Sequence, residues 1–78
     1  MVMGRLKGGG RYLALLRERA GIDLETAARG SGLTAARLAA IEEDQEAPWL
    51  LEVAMLARTY NCSVDQIADG WLKATRRN

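Results

Sequence analysis

A chain of 78 residues with 27% charged side chains, 5% aromatics and no Phe is one small domain, near the lower size limit of a self-sufficient core. The absence of His and the single Cys62 exclude an internal disulfide and a transition-metal site, and Ser31 and Ser63 have no base to activate them, so neither a cofactor nor an enzymatic reaction is expected. The net charge of +1 conceals an asymmetry, since residues 1–41 sum to +4 and residues 42–78 to −3.

Residues 1–10, MVMGRLKGGG, contain four glycines and two basic side chains. They read either as a leader without fixed structure or as a flexible basic arm whose Arg5 and Lys7 reach the phosphates or minor groove of DNA. A first helix is expected over 11–20. Leu13, Leu16 and Ala20 form its inner face, Tyr12 and Leu15 flank it, and Gly21 stops it. Arg17, Glu18 and Arg19 read as its solvated side.

The stretch from Ile22 to Glu42 organises the rest. Asp23 is an N-cap, because its carboxylate can accept the free N–H groups of the following turn. Leu24, Ala27 and Ala28 then recur at helical spacing, predicting a helix over 23–30. Ile22, just ahead of the cap, is placed to staple the helix entry. Gly32 can take a positive φ and turn the chain. Thr34 can cap a third helix, expected over 34–43, whose inward residues are Leu38 and Ile41. The pattern is helix-turn-helix.

Glu42, Glu43, Asp44 and Glu46 form an acidic connector that ends at Ala47-Pro48. Pro48 suits the start of a fourth helix, expected over 49–60, with Leu50, Val53, Ala54, Leu56 and Ala57 on its buried face and Asn61 as its stop. Ser63-Val-Asp-Gln66 has capping-box spacing and opens a short fifth helix over 64–69, anchored by Val64 and Ile67. Asp69-Gly70 reads as a break. Trp71 and Leu72 then open a C-terminal extension, 71–78, that ends in Lys73, Arg76 and Arg77.

No apolar run approaches the ~20 residues of a membrane span, and no signal-peptide core is present. With a lone cysteine, this points to the reducing cytoplasm as the expected location.

Order and spacing together resemble the phage-repressor/Cro type of helix-turn-helix domain, often called the Xre family. The matching pieces are Leu16-Arg17, Ala28 and Gly32, Leu38, Ile41-Glu42, Pro48, and Ser63-Val-Asp-Gln-Ile67, about two thirds of the chain. The resemblance implies an all-α, five-helix, lambda-repressor-like fold spanning 11–70. It also implies a repressor, activator, antitoxin or phage control protein that binds double-stranded DNA as a homodimer, with the third helix in the major groove. The positions that in this family usually reach base edges fall on Ala35, Ala36 and Ala40. Alanine offers only packing against a thymine methyl, so direct readout is expected to be weak. A polar residue usual after the second helix cap is Leu24 here, and the connector that is commonly basic is acidic. The remaining polar donors on that face are Arg29, Thr34 and Arg37.

Two readings follow. One is a DNA-binding transcriptional regulator. The other is a helix-turn-helix fold whose alanine-rich second and third helices bind a protein partner instead of DNA. Individual residues carry plainer readings as well: Arg37 as a solvated helix residue, Arg29 paired with Glu25, Glu42 as a brace of the connector, Trp49 as edge packing, and Cys62 as a half-buried small side chain. For the homodimer, the region around the fifth helix in the resembling family supplies the interface. Trp71, Leu72, Ile67 and Trp49 are therefore the expected contacts, the alternative being that Trp71 folds back on the first helix against Leu13 or Leu16.

Overall fold

The computed structural model describes residues 9–75 as five helices, with no strand among the described residues. They are α1 (Gly9–Arg19), α2 (Leu24–Ser31), α3 (Ala35–Glu42), α4 (Leu50–Thr59) and α5 (Val64–Thr75). The fold is the expected all-α helix-turn-helix arrangement. α1 packs on α3 and α5, α2 on α3 and α4, and α4 closes against α5.

The helix boundaries follow from local chemistry. Asp23, Thr34 and Ser63 each accept the N–H three residues on, at 2.8, 3.0 and 3.0 Å, which satisfies donors that a helix start leaves open. The Gln66 side chain does not complete the expected reciprocal bond. At the far ends Gly21, Gly32 and Asn61 take the left-handed conformation, with φ of 74°, 77° and 58°. After Gly32 the Leu33 N–H donates back to the Ala28 carbonyl at 2.8 Å, closing the end of α2 and turning the chain into α3.

The core is made of Leu13, Leu38, Ile41, Leu56 and Ile67, all essentially inaccessible to solvent, with Ala27, Ala28 and Ala57 between them. Each such aliphatic side chain contributes about 1.5–3 kcal/mol from the apolar area it removes from water. Leu38 and Ile41 lie three apart and share one face of α3, so they fix that helix against α1 and α2 and set which side it turns outward. Cys62 is half-buried against this core, and burial pushes its thiol pKa up.

The fifth helix and the first depart from expectation. α5 does not break at Asp69-Gly70 but runs on to Thr75, so Trp71 belongs to the same helix as Ile67 and not to a separate extension. α1 begins at Gly9, two residues before its expected start. Both differences have one cause. A side chain at Gly70 would overlap the ring of Tyr12, and one at Gly9 would overlap the indole of Trp71. Each helix thus offers a bare spot that seats an aromatic ring of the other. The overlap removes enough apolar area to outweigh the ~1 kcal/mol that a helical glycine costs relative to alanine. The exposed Asp69–Lys73 pair, 3.2 Å apart, spans the glycine and adds only a few tenths of a kcal/mol.

Leu50 also differs. By helical phase it shares a face with Val53 and Ala57, yet it is 77% exposed, because no described element covers that side of the first turn of α4.

Candidate nucleic-acid interface

The outward side of the α2–α3 hairpin is where the family resemblance places a nucleic-acid contact. Ala36 is exposed on α3, and Ala35 and Ala40 are half-buried. Ala35 packs partly against the core, which leaves Ala36 and Ala40 as the small side chains that α3 presents. Arg29 stands exposed in the last turn of α2 and makes no ion pair among the described residues; the expected partner Glu25 does not bond it. The Thr34 hydroxyl accepts the Arg37 N–H as a cap, which leaves its own O–H free to donate outward. The Asp23 carboxylate, accepting from Thr26, is held below its ordinary pKa by that bond.

Arg37 is neither a free donor nor a solvated side chain. Its Nε and Nη2 donate to the two carboxylate oxygens of Glu52 at 3.1 and 2.9 Å, its Nη1 bonds Glu46, and Nη2 also reaches the Ala47 carbonyl at 3.3 Å. Paired first of all with Glu52, the guanidinium is stabilised in its charged form, and the Glu52 carboxyl is held below the usual carboxylate range by the same contact. Glu52 accepts the backbone N–H of Trp49 at 2.8 Å as well, so one carboxylate caps α4 and anchors α3 to it. Sequence reading missed Glu52. The available signal was its place three residues after the cap position Trp49, where an acid can reach back to the helix start.

The acidic connector is divided among separate tasks. Glu42 takes a bidentate pair from Arg17, Nε to Oε2 at 2.8 Å and Nη2 to Oε1 at 3.1 Å, while Arg17 Nη1 donates to the Ile22 carbonyl at 3.0 Å. Arg17 is therefore a half-buried brace between α1, the α1–α2 turn and α3, not part of a solvated face, and Glu42 keeps its expected bracing role. The bond to Glu42 raises the Arg17 pKa further, and the buried Tyr60 phenol is held neutral by burial, its pKa pushed well up. Asp44 takes the left-handed conformation at φ 61° and accepts the Gly10 N–H at 3.0 Å, which caps α1. Of the four acids, Glu43 is exposed and Glu46 half-turned to solvent beside Arg37.

Of the expected dimer contacts, Trp71 and Ile67 are 7% and 1% exposed, packed into the core of this chain rather than turned to its surface. Trp71 does fold back on α1, against Gly9. Leu72 and Trp49 remain exposed, at 52% and 72%. Arg5 and Lys7 lie outside the described residues.

Two short capped helices joined by a left-handed glycine, with the second anchored by Leu38 and Ile41 and its outer face left uncovered by any other helix, define a helix-turn-helix module. The chain belongs to the helix-turn-helix domain family: the family model of that description matches residues 10–69. That membership places it among DNA-binding regulators in general, a class that is typically non-enzymatic, and fits the phage-repressor/Cro type. No curated protein and no solved structure gives a match to the chain. Among the described residues no helix is long and apolar enough to cross a membrane.

Proposed function

We propose that this chain is a DNA-binding transcriptional regulator, a phage or bacterial control protein, that seats α3 in the major groove and reads base sequence weakly. The observation that carries the reading is the hairpin itself: α2 and α3 joined at Gly32, with α3 presenting Ala36 and Ala40 while its one long outer side chain, Arg37, is drawn aside to Glu46 and Glu52. Small residues allow the α3 backbone to approach the groove closely but give it little to say to base edges. Arg29 and the Thr34 hydroxyl then hold phosphates, with Arg5 and Lys7 adding charge from the N-terminal arm, and sequence-dependent DNA shape supplies most of the discrimination.

Selection of bound sequences from random duplex DNA, followed by salt titration of the product, tests this. The expected result is a short, weakly enriched motif and an affinity that falls log-linearly with salt, about 0.9 per phosphate neutralised. Glu43→Lys, which reverses the exposed acid of the connector, should tighten binding to all sequences. Absence of binding to any duplex at low salt would overturn the reading.

One observation favours a second reading, in which the hairpin face binds a protein. Arg37, a donor that a phosphate contact would call on, is committed to Glu46 and Glu52. On that reading the interaction is nearly insensitive to salt, and the same titration separates the two.

A further inference from the structure

We infer that α4 carries a self-complementary surface on which a second copy of this chain docks, the two α4 helices lying antiparallel across a two-fold axis. At the start of α4, Trp49, Leu50 and Leu51 are 72%, 77% and 72% exposed, three consecutive large apolar side chains. A run of this kind on a small domain marks a contact surface. Leu51, Met55 and Arg58 follow at four- and three-residue steps and so form one outward stripe along the helix. At the far end of that stripe lies a shallow hollow of about 350 Å³ lined by Gly30, Met55, Arg58 and Thr59. Gly30 of α2, with no side chain towards Thr59, leaves that wall of it open.

The surface therefore has a projecting apolar end and a hollow end, about 10 Å apart at 1.5 Å per residue. Its charges are arranged in the same sense. Glu46, with its side chain 54% exposed and only one oxygen engaged by Arg37, stands at the projecting end. Arg58 is exposed at the hollow end and makes no ion pair among the described residues. A parallel approach would set Glu46 against Glu46 and Arg58 against Arg58. The antiparallel approach seats Leu51 of each copy in the hollow of the other and sets each Glu46 opposite an Arg58. This is the isologous arrangement in which one patch serves both subunits. The axis passes near Ala54, half-buried at the middle of the stripe and small enough for close approach. The interface differs from the one around the fifth helix, whose Ile67 and Trp71 are spent inside the chain. It is independent of the DNA reading.

One helix face and a tryptophan bury less than the ~800 Å² per partner of a standard interface, so the dimer is weak, dissociating at about 10–100 µM. Sedimentation velocity of the full chain from about 10 µM to 1 mM should show reversible concentration-dependent association, and Leu51→Glu should weaken it by about tenfold or more. Arg58→Glu should weaken it too, and adding Glu46→Arg should restore it. Ala54→Cys should give a disulfide-linked dimer on mild oxidation that the wild type, with only Cys62, does not give. All these positions are exposed or half-exposed, and circular dichroism confirms that each variant is folded. A wild type that stays monomeric to about 1 mM, or a Leu51→Glu variant that associates as the wild type does, would overturn the proposal. So would failure of the charge exchange to restore association.

Discussion

Glycine does opposite work in two regions of this molecule. In the α2–α3 hairpin, Gly32 is needed for its backbone: φ is 77° and nothing lies within 4 Å of where a side chain would stand. In the seam between α1 and α5, Gly9 and Gly70 are ordinary helical residues needed for what they lack, since the indole of Trp71 and the ring of Tyr12 occupy the space. The hairpin is specified by torsion angles and caps that each residue carries locally. The seam is specified by shape, between residues that are 58 or more positions apart in the chain. Local rules therefore find the first and misread the second as a leader and a break.

The largest effect should come from emptying the seam. Trp71→Ala is expected to destabilise the fold by about 3–5 kcal/mol, the range for removing a buried large aromatic side chain, as read from urea midpoints. Had Trp71 been an exposed residue of a tail, the change would fall within about 0.5 kcal/mol.

Gly70→Ala tests by its sign whether the helical glycine is a seat or an open site. Crowding of Tyr12 should cost about 1–3 kcal/mol, whereas alanine at an unobstructed helical site would stabilise by about 1 kcal/mol. In a Tyr12→Ala background the obstruction is gone, and Gly70→Ala should become neutral or stabilising. Such a reversal in a double-mutant cycle is the signature of a seat for a ring.

Gly32→Ala should cost about 1–2 kcal/mol for forcing a side chain into the left-handed conformation. This loss should be the same with or without Tyr12, because the strain is local. Gly32→Asn should recover most of it, since asparagine tolerates that conformation. A Gly32 penalty that depended on Tyr12 would break the comparison.

The smallest effect is a pH dependence at the α3–α4 junction. Glu52 titrates below the ordinary carboxylate range because Arg37 and the Trp49 N–H bond its charged form. A depressed folded pKa means that the stabilisation is complete above the unfolded value of about 4.3 and is lost as pH falls through the folded value. Glu52→Gln should therefore lower stability at pH 7 by up to about 1 kcal/mol, and the difference from the wild type should shrink towards pH 3. Chemical denaturation at the two pH values measures it.

The helix-turn-helix is legible in the residues alone. The caps Asp23, Thr34 and Ser63, the stops Gly21, Gly32 and Asn61, and the inward spacing of Leu38 and Ile41 are interactions within four or five residues, so the pattern states them directly. The long-range partners emerge only when the helices are packed. Arg17 and Glu42 are 25 residues apart and Arg37 and Glu52 are 15 apart, and an arginine on a helix looks solvated until the fold brings a carboxylate to it. Only packing assigned Trp71 to the core and left Leu50 in solvent, although both are large apolar residues at helical spacing. Periodicity records which face a residue occupies. Whether another element reaches that far along the helix to cover it is set by the lengths and meeting points of the helices, and those depend on the whole chain.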